Sequence, residues 1–261
     1  MQKIMSWNVA SVRARMPALE QVLKTYQPDI LFLQEIKATD ENFPFMALAA
    51  LGYQSVIAGQ KAYNGVAILS KEKMELINNR LPDCDLEYQA RFIEVKHANT
   101  HYISVYVPNG NPPEKDPTDT SRLTYKLKWM DCLTRHIAAL IQSGKSVVLG
   151  GDFNVIELDT DVYNPDGYRE NALMLPVVRD AFHRLTSLPL THTVRHFNPQ
   201  EHLYSFWDFQ TMAWQKNWGM LLDTIFISND LLPRLKSSGI YKEVRGWAKT
   251  SDHVPVFCVL E

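Results

Sequence analysis

Val147-Val148-Leu149-Gly150-Gly151-Asp152-Phe153-Asn154 is an apolar run that stops on two glycines and then presents a carboxylate and a carboxamide. That is the pattern of a buried strand delivering polar side chains to its carboxyl end, where ligands of α/β folds sit. A strand followed by an ordinary Asp/Asn turn would read the same way, because both residues favour turns. What separates the two readings is that other strands of the chain end alike. Lys3 to Val9 reads as a first strand with Asn8 at its end, and Ile30-Leu31-Phe32-Leu33-Gln34 is a nearly continuous apolar run that reaches Glu35. Such runs belong to strands covered on both faces.

Working outward, apolar residues at helical spacing predict a helix from Arg13 to Tyr26, and Asp40 is placed to cap a helix through Leu51, where Gly52 breaks it. Tyr53 to Ala58 and Gly65 to Ser70 read as strands. A hairpin is expected from Arg91–Val95 through Ala98-Asn99 to Tyr102–Val107. Hairpins mixed with strand-helix units mean sheets that are not purely parallel. Asn111 to Thr120 holds three of the fourteen prolines and reads as a surface loop before a long amphipathic helix, Ser121 to Gln142. A helical stretch is expected around Ala172 to Leu185, an aromatic loop from Phe197 to Gly219, and strands at Leu221–Ile227 and Val254–Leu260. No internal repeat or composition break divides residues 1–261, so one domain is expected.

With 261 residues, 46% of them hydrophobic, the chain can bury a large core. No apolar run approaches the ~20 residues of a membrane span, and the N-terminus has no signal-peptide layout, so a cytoplasmic protein is expected. Cys84, Cys132 and Cys258 are far apart, which suggests neither a disulfide framework nor a thiolate metal site. A net charge of −2 lacks the basic signature of a nucleic-acid coat protein. Any polyanion must therefore be held by local basic residues and a cation.

Asn8, Glu35, Asp152, Asn154, Asp223, Asp252 and His253 lie at strand ends or edges in five segments spread over the chain. If those strands share sheets, the side chains converge on one crevice. Carboxylate and amide oxygens with one imidazole and no sulfur suit a hard cation, Mg²⁺ or Mn²⁺. Such ions usually meet a phosphate, so the expected reaction is metal-assisted attack of water on a phosphate ester. Asp223 is available to orient His253. The pair His192 and His196 has metal-like spacing, but Thr193-Val194-Arg195 between them lacks an acid, and a structural or solvated role is the better reading.

Ser6-Trp7-Asn8-Val9, Leu33-Gln34-Glu35-Ile36-Lys37, Asn64-Gly65-Val66-Ala67, Tyr106-Val107-Pro108-Asn109-Gly110, Gly151-Asp152-Phe153-Asn154 and Ser251-Asp252-His253-Val254-Pro255-Val256 resemble, in order, the motif series of the exonuclease III family of AP endonucleases. The match spans essentially the full chain, and several motifs recur across the wider endonuclease/exonuclease/phosphatase superfamily. The resemblance implies a four-layered α/β sandwich of two mixed β-sheets flanked by helices. It also implies a monomeric Mg²⁺-dependent (or Mn²⁺-dependent) DNA repair nuclease that cleaves 5′ to abasic sites in duplex DNA, with exonuclease or 3′-end-cleaning activity beside it.

Carried over by motif, Glu35 resembles the principal metal ligand with Asn8 beside it, and Asp252 completes the metal environment. Asp152 is similar to the residue that positions or deprotonates the attacking water, and Asn154 aligns it. Tyr106 and Asn109 would hold the scissile phosphate, and His253, braced by Asp223, would stabilise developing charge; base duty is left open between Asp152 and His253. Phe206, Met220 and Leu222 resemble the lining of an apolar pocket for a base-less sugar, while Trp207 and Phe209 read equally well as core. Two departures stand out: Leu221 replaces the arginine usual before x-Asp, and Ala10 replaces an Asn or Asp. Arg13, Arg15, Lys37, Lys61, Arg245 and Lys249 are candidates for backbone phosphates or for a solvated face. The alternative function is a superfamily phosphatase or phosphodiesterase acting on small phosphorylated molecules or RNA.

Overall fold

The computed structural model of the protein describes residues 1–200 and 202–261. The first part of the chain forms β1 (Gln2–Asn8), α1 (Met16–Tyr26), β2 (Ile30–Gln34), α2 (Phe45–Ala50), β3 (Gln54–Ala58), β4 (Val66–Ser70), β5 (Glu75–Asn78), β6 (Phe92–His97) and β7 (Thr100–Tyr106). The rest forms α3 (Ser121–Gln142), β8 (Ser146–Asp152), α4 (Pro176–Thr186), β9 (Leu190–His192), α5 (Thr193–Phe197), α6 (Ala213–Lys216), β10 (Asp223–Ser228), β11 (Leu235–Ile240) and β12 (Val256–Leu260). The strands make two six-stranded sheets, ordered β11-β12-β1-β2-β4-β3 and β5-β6-β7-β8-β10-β9. Each is mixed: β1 runs parallel to β2 and β7 parallel to β8, while the other pairings are antiparallel. Two mixed sheets flanked by helices are the architecture expected from the sequence. Among the described residues, no helix is long and apolar enough to cross a membrane.

The period of two along each strand sorts its apolar residues into layers. Met5, Trp7, Leu31 and Leu33 face outward onto Leu19, Val22 and Leu23 of α1. Ile4, Ile30 and Phe32 face inward and meet Ile93, Val95, Val148 and Ile225 of the second sheet. On that sheet's far side Val147 and Leu149 pack with Met130, Leu133 and Ile137 of α3 and with Val178 and Phe182 of α4. Both faces of both central strand pairs are covered, which is why the runs read as continuously apolar.

Gly150 and Gly151 are what let the sheets close at the strand end. A Cβ on Gly150 would stand 2.6 Å from Phe32 Cδ2 of the facing sheet, and one on Gly151 would collide with the carbonyl oxygen of Val105 on β7. A buried polar link sits at the same level: Gln34 Nε2 donates to Ser6 Oγ (3.2 Å) and to Ser104 Oγ of the opposite sheet (3.0 Å).

Several boundaries differ from expectation for local reasons. The helix expected from Arg13 starts at Met16, because Ala10 and Ser11 take positive φ to turn the chain after β1. The helix expected from Asp40 to Leu51 is a short 3₁₀ turn, Asp40–Asn42, followed by α2, since Pro44 has no N–H and restricts the residue before it. The stretch around Ala172 becomes helical only at Pro176, which occupies the first turn of α4 where a missing N–H costs nothing. The final strand begins at Val256, after Pro255. Strands β5, β9 and β11 were not expected; they are edge or near-edge strands whose half-exposed residues lack a strong apolar signal.

Replacing Gly151 by alanine should lower stability by about 3 kcal/mol or more, because the collision is with backbone rather than with a movable side chain. Urea unfolding of the variant beside the wild type measures this, and a change below about 1 kcal/mol would contradict the packing described.

Candidate active site

The carboxyl ends of β1 and β2 on one sheet and of β7 and β8 on the other lie at the same edge of the sandwich. Register does the rest on the second sheet: Tyr106 pairs with Asp152 and Asp152 with Asp223, so the three stand in a row across β7, β8 and β10. His253, on the segment leading into β12, closes the row. Its Nδ1 lies 2.7 Å from Asp223 Oδ2 and its Nε2 3.7 Å from Asp152 Oδ2. The segment is tied down by Ser251 Oγ, which donates to the Asn8 carbonyl (2.7 Å), and by Trp7 Nε1, which donates to the His253 carbonyl (2.9 Å).

Asn8 bridges the sheets. Its buried amide nitrogen donates to Glu35 Oε1 and to Asp152 Oδ2, both at 2.9 Å, while its oxygen accepts the Ala10 N–H at 3.0 Å. The alanine that departs from the family pattern thus contributes a main-chain donor at this point. Glu35, with φ 51°, also pairs with Lys37 Nζ at 2.8 Å. Burial alone would raise its pKa, but the hydrogen bonds from Asn8 and Lys37 bring it below the ordinary carboxylate value.

Asp152 is 1% exposed, and its Oδ1 accepts the Asn154 N–H at 2.9 Å. Burial, with Asp223 adding to it and His253 opposing it, raises its pKa to about 7. His253 is shifted up to about 10: burial pushes the other way, but the charges of Asp223 and Asp152 outweigh it. Ser205 braces the pair by donating from Oγ to Asp223 Oδ2 (2.7 Å) while accepting the Leu222 and Asp223 N–H groups. Ligand atoms of Asp152, Asp223 and His253 come within 4.8 Å of one another. With Nδ1–H committed to Asp223 and both nitrogens protonated, however, this imidazole is a hydrogen-bond donor rather than a metal ligand.

The residues expected on the phosphate side are gathered too. Arg91 covers the Tyr106 ring, 4.7 Å from its centroid. Burial and the nearby Glu35 and Asp152 hold the phenol pKa well above its ordinary value, so the hydroxyl keeps its proton. Asn154, at φ 48°, donates from Nδ2 to the Val107 carbonyl (2.9 Å), and its Oδ1 accepts from Asn109 Nδ2 at 3.4 Å. Asp252 is half-buried, and its Oδ1 lies 3.1 Å from Ser251 Oγ.

Phe206, Met220 and Leu222 collect in one apolar cluster with Ile156, Val162 and Met174. Phe206 forms its edge and packs on the His253 ring at 4.8 Å between centroids. Trp207 is fully buried core, whereas Phe209 is 52% exposed with the Arg245 and Arg15 guanidinium groups 4.9 and 5.6 Å from its ring centre. Leu221 is buried where the family pattern has an arginine. Of the remaining basic candidates, Arg13, Lys61 and Lys249 are exposed. His192 Nδ1 accepts the Arg195 N–H at 3.2 Å and lies 3.1 Å from Thr224 Oγ1, a structural role.

Residues the sequence reading passed over also build the site: Ser205, Arg91 and Lys126. Lys126 is fully buried on α3 and donates to the carbonyls of Asn109, Asn154 and Ala172. A signal existed, since Lys126 falls on the helix stripe marked by Leu123, Leu127 and Met130, where a solvated lysine has no reason to be.

Two imidazoles titrate in opposite senses. Desolvation lowers His192 from 6.5 to about 4, so the unfolded chain binds its proton first and stability should be lost as pH falls from 6.5 towards 4, by at most about 3 kcal/mol. In His192→Asn, which keeps an acceptor, that acid limb should vanish from urea melts. His253, raised from 6.5, stabilises the fold fully below pH 6.5 and loses that contribution as pH rises through about 10. In Asp223→Asn the His253 titration midpoint, followed by NMR, should fall by about 1–3 pH units; an unmoved midpoint would contradict the pairing.

Comparison with known proteins fits this geometry. The Endonuclease/Exonuclease/phosphatase family profile matches residues 5–253. The chain is 30% identical to exodeoxyribonuclease III of Haemophilus influenzae, with 98% of each chain covered. Solved structures align over 100% of both chains for a Neisseria 3′ phosphatase bound to a product DNA hairpin (32% identity, TM-score 0.94) and for an AP endonuclease from Archaeoglobus fulgidus (30% identity, TM-score 0.93). The chain therefore belongs to the endonuclease/exonuclease/phosphatase family and, within it, to the exonuclease III group.

Proposed function

We propose that the protein is a divalent-cation-dependent DNA repair nuclease that hydrolyses the phosphodiester 5′ to abasic sites in duplex DNA and clears nucleotides or blocking groups from 3′ ends. In this reading residues 1–261 act as one catalytic unit, a monomer working in the cytoplasm. The observation that carries it is the row Tyr106, Asp152, Asp223 and His253, joined through Asn8 to Glu35 of the other sheet.

The carboxylates fit a hard cation. Glu35 is an ionised carboxylate at the strand end, and Asp252 brings further oxygens without sulfur, a set that suits Mg²⁺ or Mn²⁺. Asn8, expected beside Glu35 as a ligand, instead turns its nitrogen to the carboxylates and its oxygen to the Ala10 N–H, so it orients Glu35. When bound, such an ion neutralises phosphate charge and polarises the bond being broken. Asp152 takes the proton of the attacking water, its pKa of about 7 matching that task near neutral pH. Asn154 aligns the water. The His253 imidazolium has no free lone pair, so it serves as a charge donor to a phosphate oxygen, and Asp223 keeps it charged. Tyr106 and Asn109 donate to the phosphate from the opposite side. The apolar face of Phe206, Met220 and Leu222 receives a deoxyribose without its base and rejects a full nucleotide by size.

Similarity to an exodeoxyribonuclease, a 3′ phosphatase seen with DNA and an AP endonuclease supports DNA over a small phosphate ester. The test uses duplexes carrying an abasic analogue, a 3′-phosphate at a nick, or no lesion, beside an inositol phosphate, each with Mg²⁺ or EDTA. Incision and phosphate release confined to the damaged duplexes and abolished by EDTA are expected. Asp152→Asn should reduce the rate about 10²–10⁴-fold. Hydrolysis of the inositol phosphate with all DNA untouched would overturn the assignment.

A further inference from the structure

Lys126 has no carboxylate partner at hydrogen-bond distance among the described residues and is buried completely beneath the two asparagines of the site. Its Nζ donates to the carbonyl oxygens of Asn109 (3.0 Å), Asn154 (2.6 Å) and Ala172 (3.0 Å). An ammonium carries three donors, and here three main-chain acceptors from three separate segments meet it. The two asparagines whose backbones it grips also touch above it, Asn109 Nδ2 donating to Asn154 Oδ1 at 3.4 Å. The surrounding chain is shaped for it. Gly110 takes φ 88°, and a Cβ there would stand 2.7 Å from Lys126 Cδ. Burying an ammonium is costly, and a purely structural link between three loops could be made by a neutral donor. Burial pulls the Lys126 pKa down to about 7, with Asp152 opposing. What a neutral amide donor lacks is the third N–H, and two of the three carbonyls held belong to the residues proposed to meet a phosphate and its attacking water.

We infer that Lys126 is a positioning residue for the hydrolysis: it clamps the Asn109 and Asn154 backbones so that their side chains meet the scissile phosphate and the water in fixed register. This rests on the functional reading above. It does not touch substrate itself, so its effect must pass through the two asparagines. A misplacement of about 1 Å at the reacting groups costs about 100-fold in rate, which sets the size of the effect.

The experiment is a double-mutant cycle on the nicked duplex with a 3′-phosphate, using wild type, Lys126→Met, Asn154→Ala and the double variant, with thermal melts of each. Lys126→Met should lower kcat about 100-fold with KM changed less than about 3-fold. In the Asn154→Ala background the same substitution should cost under about 3-fold, because the two residues act as one unit. An equal loss in both backgrounds, or an unchanged kcat, would overturn the inference. If Lys126→Met does not fold, Lys126→Gln carries the same cycle, with a loss of about 10-fold expected because it keeps two donors where three carbonyls are held. Should the wild type hydrolyse none of the DNA substrates, the functional reading fails by itself. The clamp is then judged by NMR of the Asn154 side-chain amide: rigid in wild type and averaged in Lys126→Gln supports it, and identical order in both overturns it.

Discussion

Asn8 spends both amide hydrogens on carboxylates, one from each sheet, and the site exists because that geometry brings Glu35 and Asp152 together. Three carboxylates within one buried crevice would repel each other and resist desolvation if left alone. Each is answered differently. Glu35 has Lys37 and stays ionised; Asp223 has the His253 imidazolium and Ser205; Asp152, with weaker compensation, is pushed towards neutral pH. One set of neighbours therefore gives three chemically similar side chains three different ionisation and hydrogen-bonding states.

That division depends on how closely the two sheets approach. Gly150 admits Phe32, Gly151 admits the Val105 carbonyl, and the Gln34–Ser104 hydrogen bond joins the sheets one layer below the site. The interior packs tightly, so a displacement at this level is transmitted to Asp152 rather than absorbed. From the helix side, Lys126 of α3 ties together the loops that follow β7 and β8 by donating to the Asn109 and Asn154 carbonyls.

Much of the architecture was legible in the residues. The continuous runs at Ile30 to Gln34 and Val147 to Gly150 announced strands covered on both faces, and the stripe from Ser121 to Gln142 matched α3 end to end. Edge strands β5, β9 and β11 were not legible, since half-exposed residues such as Ser237 and Ser238 carry no alternation that distinguishes them from loop. Trp207 and Phe209, adjacent in pattern, went opposite ways: one became core, the other an exposed ring between two arginines. Periodicity does not resolve a non-repeating loop, because nothing there forces successive side chains to alternate faces.

By itself the sequence determined the strand-end chemistry, since an apolar run terminated by Asp, Glu or Asn places a polar group at a strand's carboxyl end whatever surrounds it. Only the tertiary structure decided what each group does. Asn8 turned its nitrogen to the carboxylates, His253 became a donor held by Asp223, and Lys126 reached three carbonyls from three segments far apart in the chain. The physical reason is that ionisation and hydrogen-bond direction depend on neighbours within a few ångströms, and those neighbours come from segments that sequence order keeps apart.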